Sequence, residues 1–196
     1  MAQIQIIDGA DDAAIADWLG ERIGGALSAT GGPLAVTVPG GSTPFPILQR
    51  LAAMDLDWSR VTVWPGDDRQ VPEDHPASNT GKIRALIELA GTEVVALTVM
   101  EQVPHFAFAW LGMGADGHIA SLFPSADPRV DDPLPPEAPF DRITLTIPAL
   151  LDSDELVFVI RGGDKRALFD AAARGESDLP VARLLAAAHQ PVTCFT

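Results

Sequence analysis

A titratable pair, Asp116 and His118, stands in a glycine-containing loop directly after an apolar run at residues 106–111. The run is typical of a strand buried on both faces, and Gly112 and Gly114 let the backbone turn sharply or lie close to a ligand. Histidine ordinarily titrates near neutral pH, so an imidazole here can act as a general base, and a nearby carboxylate can orient it. Open α/β sheets bind ligands at such strand ends. We therefore interpret these four residues as candidate site residues.

The same loop also has a purely structural interpretation. Gly-x-Gly is a common turn, and Asp116 could serve as the N-cap of a short helix that we predict to begin at residues 119–122.

A second candidate is the strand-to-helix turn at residues 39–44, which reads Pro-Gly-Gly-Ser-Thr-Pro. Gly40 and Gly41 free backbone N–H groups to face a ligand, Ser42 or the following threonine can cap the helix, and a proline suits the first helical turn. Such a helix N-terminus binds anions readily. An ordinary capped turn is the alternative, and no Gly-Lys-Ser/Thr follows, so the turn is not a Walker-type loop.

A third candidate is the acidic pair Asp67 and Asp68, which directly precedes Arg69 at the end of a predicted strand. Adjacent carboxylates repel each other unless a cation or hydrogen bonds hold them. We expect backbone amides or a cation to hold one acid. Arg69 could supply that cation, bind a substrate phosphate or polarise a carbonyl group.

Two further cations precede or begin predicted elements. Arg142 opens a strand after a proline-rich loop, where a guanidinium could bind phosphate through two hydrogen bonds. Lys165 lies in a Gly-Gly-Asp-Lys strand-to-helix turn and could add a point charge to the same anion site. A surface arginine and a solvated lysine are the structural alternatives.

Strands and helices alternate along the chain. Strands are predicted at residues 3–7, 33–38, 61–64, 94–99, 106–111, 142–147, 156–160 and 192–195. Helices are predicted at 11–29, 45–53, 80–89, 164–173 and 181–188, and an irregular loop at 124–139. This order favours a single α/β domain over residues 1–196, with a mostly parallel sheet and helices on both faces.

Composition excludes several classes of protein. The 196 residues carry a net charge of −14, which argues against a nucleic-acid partner. No apolar run reaches the roughly 18 residues of a membrane helix. The single cysteine, Cys194, rules out an internal disulfide and suits the reducing cytoplasm, and we expect a buried, inert thiol there. The four histidines show no metal-ligand spacing, so we expect no metal or cofactor. We also expect a monomer or a weak homo-oligomer.

The motifs, taken in order, resemble the short bacterial 6-phosphogluconolactonases, in the glucosamine/galactosamine-6-phosphate isomerase superfamily. The matching segments are Gly-Gly-Ser-Thr-Pro at 40–44, Asp-Asp-Arg-x-Val-Pro at 67–72 with Ser-Asn at 78–79, Leu-Gly-Met-Gly-x-Asp-Gly-His-x-Ala-Ser-Leu-Phe-Pro at 111–124 and Arg-Ile-Thr-Leu-Thr at 142–146. The resemblance implies a Rossmann-like fold shared with ribose-5-phosphate isomerase and glucosamine-6-phosphate deaminase. It also implies hydrolysis of the sugar-phosphate lactone 6-phospho-D-glucono-1,5-lactone in the oxidative pentose phosphate pathway.

A δ-lactone needs an activated water and a partner for the oxyanion. We expect His118 to be the base, with Asp67, Asp68 and Arg69 across the cleft from it. The oxyanion partner is either Arg69 or the amides around Gly112 and Gly114. By analogy with the sister deaminases, the phosphate is expected to lie between the Ser42 turn, Arg142 and Lys165.

Two alternative functions remain open at this point. The sister deaminases carry a Glu five residues after the His, where this chain has Phe123, and an apolar ring cannot relay a proton. A non-catalytic sugar-phosphate sensor would ordinarily carry a DNA-binding segment in addition, and no basic segment is present.

Overall fold

The computed structural model describes residues 2–99, 102–125 and 138–196. Within them lie the strands β1 (Ile4–Ile7), β2 (Leu34–Val38), β3 (Val61–Pro65), β4 (Asp67–Arg69), β5 (Glu93–Val94), β6 (Ala109–Leu111), β7 (Arg142–Thr144), β8 (Leu156–Val159) and β9 (Val192–Phe195). The helices are α1 (Asp12–Ala29), α2 (Pro44–Ala52), α3 (Asn79–Ile87), α4 (Ile147–Leu151), α5 (Gly163–Ala173) and α6 (Pro180–Ala187). Seven strands form one sheet in the order β1-β9-β8-β6-β2-β3-β5, and every pairing in it is parallel.

The sheet is covered on both faces, as its sequence pattern requires. All five residues of β2 and all four of β8 are buried, which explains their continuous apolar character. Helices α1, α2 and α3 pack on one face through residues such as Ile15 and Leu48. Helices α5 and α6 cover the other face through residues such as Phe169 and Leu184. The predicted α/β fold is confirmed.

The order in which the chain adds strands to the sheet reverses at the centre, between β2 and β6, while all strands remain parallel. From β2 the chain continues to β3 and β5 on one side, whereas from the adjacent β6 it continues to β8 and β9 on the other. The loops that leave β2 and β6 therefore diverge and open a crevice at the carboxyl ends of the strands. This is the position at which parallel α/β sheets bind ligands.

A two-stranded antiparallel ribbon of β4 and β7 stands apart from the main sheet. It pairs Asp67 with Thr144 and Arg69 with Arg142. Sequence reasoning predicted no strand at β4. It also extended β7 to residue 147, which is wrong: Thr146 caps α4 through its side chain, and Pro148 lies in the first turn of that helix.

Three other local predictions need correction. No helix follows His118, because Ile119 forms isolated bridges with Met113 and Leu122, and Ala120 has a φ of 49°. The strand predicted at 94–99 is limited to Glu93–Val94, and the strand predicted at 106–111 begins at Ala109. Most of the irregular loop predicted at 124–139 lies outside the described residues.

Cys194 is fully buried, as predicted, and this burial raises the pKa of its thiol to about 12. No helix in the described ranges is long and apolar enough to cross a membrane.

Candidate active site

A cavity of about 610 Å³ lies at the carboxyl ends of β2, β3, β6 and β8. It brings together every residue that the sequence predicted for the site. These are Gly40, Gly41, Ser42, Asp67, Arg69, Gly112, Gly114, Asp116, His118, Arg142 and Lys165.

The imidazole of His118 is held by the carboxylate two residues before it. Asp116 Oδ1 lies 2.6 Å from His118 Nδ1 and also accepts a hydrogen bond from the His118 amide at 3.2 Å. Burial alone would raise the pKa of Asp116, but the amide, charge and ring of His118 together hold it below its ordinary value. An ionised Asp116 favours a proton on Nδ1 of the neutral ring, which leaves the Nε2 lone pair available as a base.

Gly114 makes room for this pair. A Cβ atom at Gly114 would overlap the Nδ1 and Cε1 atoms of His118 and would lie 2.6 Å from Asp116 Oδ1. The Gly114 amide donates to the His118 carbonyl at 2.9 Å. It is therefore occupied, and its predicted part as an oxyanion donor is wrong. The role of Gly114 is steric.

An aromatic ring borders the imidazole. The centroids of His118 and Phe123 lie 4.8 Å apart, with an angle of 41° between the ring planes. Phe123 also lines the cavity, so an apolar surface lies beside the candidate base.

The two adjacent acids have different environments. Asp68 accepts hydrogen bonds from the amides of Arg69, Asn79 and Thr80 at 2.6–2.9 Å, and from the hydroxyls of Ser78 and Thr80. Burial alone would raise the pKa of Asp68, but these hydrogen bonds lower it. The expectation that amides hold one acid is confirmed, and this acid anchors the start of α3. Asp68 does not line the cavity, so the prediction that it lies across the cleft from His118 is wrong.

Asp67 points to the other side of the ribbon and lines the cavity. Ser121 Oγ donates to it at 2.5 Å, and the side-chain amide of Asn79 lies 3.3 Å away. Burial raises the pKa of Asp67, and the hydrogen bond from Ser121 and the charges of Arg69 and Arg142 oppose this only in part.

Arg69 is fixed at one end of its guanidinium. Its Nη1 donates to the Ala77 carbonyl at 3.1 Å and to Asn79 Oδ1 at 2.9 Å, and its other nitrogens have no hydrogen-bond partner in the described part of the chain. The Arg69 guanidinium therefore does not hold either neighbouring acid through a hydrogen bond; only the Arg69 amide does so, to Asp68. Asn79, which directly precedes the helix predicted at 80–89, connects Arg69 to Asp67 and packs against Gly40.

Arg142 lies opposite Arg69 in the ribbon, so two guanidinium groups line one side of the cavity. Its Nε atom is buried and has no hydrogen-bond partner within the described residues. Burial and the charge of Arg69 lower the pKa of Arg142. Two like charges beside an unpaired buried donor form a site that favours an anion.

The turn after β2 presents the N-terminus of α2 to the cavity. Pro44 is in the first helical turn as predicted, and Gly41 has a φ of 107°. Thr43 occupies the N-cap position, but no side chain caps the helix, so the prediction that Ser42 or Thr43 does so is wrong. The first amides of α2 lack that side-chain partner.

Two cations lie at the β8–α5 turn. Lys165 Nζ donates to the Met113 carbonyl at 2.9 Å and thereby joins α5 to the loop that carries His118. Arg161, two residues after the end of β8, also lines the cavity and was missed by sequence reasoning. The available signal was its position, because it follows a buried strand and precedes a glycine turn, as the predicted site residues do.

Among the described residues, no group of three or more His, Cys, Asp or Glu side chains could hold a metal ion.

Comparisons with known proteins point to the same family by sequence model and by individual relatives. A family model described as glucosamine-6-phosphate isomerases/6-phosphogluconolactonase matches residues 10–88 and 87–193. A 6-phosphogluconolactonase of Neisseria meningitidis serogroup A is 32% identical over 92% of this chain and 90% of its own length. One from Pseudomonas aeruginosa is 35% identical over 85% of this chain and 83% of its own.

Among solved structures, a 6-phosphogluconolactonase from Shewanella baltica superposes with a TM-score of 0.85 at 27% identity, covering 100% of this chain and 97% of that one. Family model, relatives and fold agree over almost the whole sequence. The chain belongs to the glucosamine-6-phosphate isomerase/6-phosphogluconolactonase family.

Proposed function

We propose that this protein hydrolyses 6-phospho-D-glucono-1,5-lactone to 6-phospho-D-gluconate, the lactonase step of the oxidative pentose phosphate pathway. The observation that carries the proposal is the His118–Asp116 pair, which lines the same cavity as Arg69, Arg142 and Lys165. An ester carbonyl needs a base and an oxyanion partner, and a phosphate needs cations. One cavity holds side chains suited to each task.

The nucleophile in this proposal is a water molecule. His118 Nε2 removes a proton from it as the oxygen attacks C1 of the lactone, while Asp116 holds Nδ1–H and stabilises the imidazolium that forms. When the tetrahedral intermediate collapses, the bond between C1 and the ring oxygen breaks, and the imidazolium gives its proton to the departing C5 oxygen, which becomes a hydroxyl. The carboxylic acid formed at C1 then releases one proton to solvent and becomes a carboxylate.

Arg69 is the oxyanion partner that we favour. Its Nη1 is fixed by Ala77 and Asn79, so the remaining N–H groups are oriented before the substrate arrives. Asp67 balances the two neighbouring guanidinium groups and holds the loop after His118 through Ser121. The Gly112 amide remains a second candidate donor.

The phosphate group binds at the N-terminus of α2, where Gly40, Gly41 and Ser42 face the cavity, with Lys165 and Arg142 as cations. The absence of a side-chain cap on α2 and the unpaired Nε of Arg142 both support an anionic ligand.

A deaminase or isomerase reaction is disfavoured. Phe123 occupies the position at which the sister enzymes carry a proton-relaying Glu, and its ring packs on His118. A sensor without turnover would not require a carboxylate-held histidine beside the anion site.

The wider setting is part of the same proposal. We place the enzyme in the cytoplasm, where a lone buried thiol remains reduced, as a monomer or weak homo-oligomer. It requires no metal or cofactor, and the net charge of −14 disfavours a nucleic-acid partner.

The decisive experiment measures lactone hydrolysis above the spontaneous background by wild-type protein and by His118→Ala and His118→Asn. We expect each variant to lose at least about a hundredfold in kcat, the usual contribution of a positioned base. KM should change far less, because the phosphate is held elsewhere. A His118→Ala enzyme with nearly full kcat would leave His118 with a structural role in its loop.

A further inference from the structure

One cation of the cavity has no part in the mechanism above. Arg161 follows β8, lines the cavity and lies four residues before Lys165. Its only hydrogen-bond acceptor among the described residues is Asp12, on the first turn of α1, at 3.3 Å. The contact is long and partly exposed, with 36% and 39% of the two side chains accessible to solvent. Such a pair contributes little to stability.

We infer that Arg161 is a further substrate-binding residue, which holds the phosphate group of the lactone in exchange for its contact with Asp12. The inference rests on the proposed function and adds a specificity-determining residue to it. A guanidinium that uses one of its five N–H groups on a weakly held carboxylate retains donors for a second anion. A phosphate dianion can accept two of them in parallel.

The position of Arg161 favours the phosphate over the reacting carbonyl. Its partner Asp12 begins α1, which packs with α2 on one face of the sheet. The loop that carries His118 packs toward the opposite face, since a Cβ atom at Gly117 would press on Leu179 and Leu168. In the closed lactone, C1 and C5 flank the ring oxygen, and the phosphate is carried on C6, outside the ring. A lactone with C1 at His118 therefore has room to extend its phosphate away from the His118 loop, toward the face on which Asp12 and α2 lie.

The charge of the whole protein makes such a residue useful. A net charge of −14 repels a dianionic substrate, so binding depends on cations concentrated within the cavity. Lys165 already donates one hydrogen bond to the Met113 carbonyl, and one nitrogen of Arg69 already donates within its own part of the site, to Asn79. Arg161 adds a cation whose existing partner can be exchanged for phosphate at small cost.

The test compares Arg161→Gln with Asp12→Asn in the full chain. Binding of 6-phosphogluconate is measured by titration calorimetry, and kcat and KM are measured for the phosphorylated lactone and for unphosphorylated D-glucono-1,5-lactone. We expect Arg161→Gln to raise Kd and KM for the phosphorylated molecules by roughly tenfold to a hundredfold, the range of one charge-assisted contact. Its kcat should stay within a few fold, and its kinetics with the unphosphorylated lactone should not change. Arg161→Lys should fall in between.

Asp12→Asn distinguishes a phosphate-binding role of Arg161 from a purely structural role in holding α1. If Arg161 binds phosphate, releasing it from Asp12 leaves the affinity for 6-phosphogluconate unchanged or higher. Equal losses in Asp12→Asn and Arg161→Gln would show that the pair only braces α1, and would overturn the inference. So would an unchanged Kd in Arg161→Gln while the wild type hydrolyses the lactone. A wild type that neither hydrolyses the lactone nor binds the product would instead refute the proposed function itself, and the inference with it.

Discussion

A single methyl group at Gly114 should abolish most of the activity without unfolding the protein. In Gly114→Ala the new Cβ atom would lie 2.6 Å from Asp116 Oδ1, whereas ordinary contacts begin at about 3.4 Å, and it would also overlap the His118 ring. The carboxylate must therefore retreat by roughly 0.8 Å, and the ring must move as well. A displacement of about 1 Å can cost about a hundredfold in rate, and loss of a positioned base costs about 10²–10⁴-fold. We expect kcat to fall by at least about a hundredfold.

Stability should change much less than activity, because Gly114 is not among the described glycines with a positive φ, and the two side chains that must move are partly exposed to solvent. The matched control is Gly66→Ala. Gly66 is buried next to Asp67, but a Cβ atom there would meet its nearest neighbour at 3.8 Å, an ordinary contact. Lactone hydrolysis and thermal unfolding are measured for both variants.

A double variant makes the test stricter. Gly114→Ala introduced into His118→Ala should reduce kcat little further, because the group that it displaces is already absent. The reasoning is refuted if Gly114→Ala keeps wild-type kcat, or if its loss of kcat is undiminished in the double variant.

Two further predictions follow from other contacts. If Arg69 is the oxyanion donor, Arg69→Ala and Arg69→Lys should both lower kcat at saturating lactone by about 10²–10³-fold, because lysine lacks the planar guanidinium. Wild-type kcat in both variants would mean that Arg69 only stabilises its own loop through Ala77. His105 contacts Asp152 through Nδ1 at 2.7 Å and Asp154 through Nε2 at 3.0 Å, and only an imidazolium can donate to both. These hydrogen bonds raise the pKa of His105, so the stability that they add is complete below about pH 6.5, the ordinary histidine pKa, and is lost as pH rises through the raised value. The Tm difference between wild type and His105→Gln should therefore shrink between pH 6 and pH 9, and a constant difference would contradict the assignment.

The sheet and the main helices could be predicted from sequence because their apolar residues recur with a clear period. The ribbon could not, since β4 is three polar residues, Asp67–Arg69, whose partner strand is distant in sequence. The different environments of Asp67 and Asp68 follow from that ribbon, because successive side chains of a strand point to opposite faces. Without knowing that β4 is a strand, no pattern distinguishes the acid in the cavity from the acid that anchors α3.

Local geometry accounts for the remaining errors at the site. Residues 119–122 have helical composition, but Ala120 adopts a positive φ because tertiary contacts override its propensity. The Gly114 amide is not available to an oxyanion because it donates to the His118 carbonyl. No pattern of residue types predicts that hydrogen bond. By contrast, Arg161 could have been found by applying the strand-end rule to β8 as it was applied to β6.

The ribbon also sets the moment during synthesis at which the cavity can acquire its full set of cations. Gln70 donates a hydrogen bond to the Arg142 carbonyl across a separation of 72 residues, and Lys165 is later still. At about 5–20 residues per second, a ribosome needs roughly 4 to 14 seconds to pass from one strand of the ribbon to the other. During that interval Arg69 has no opposing guanidinium. A nascent chain that already contains His118 therefore lacks part of the cation set that a phosphorylated ligand needs. It gains these cations only after translation has passed Arg142 and Lys165.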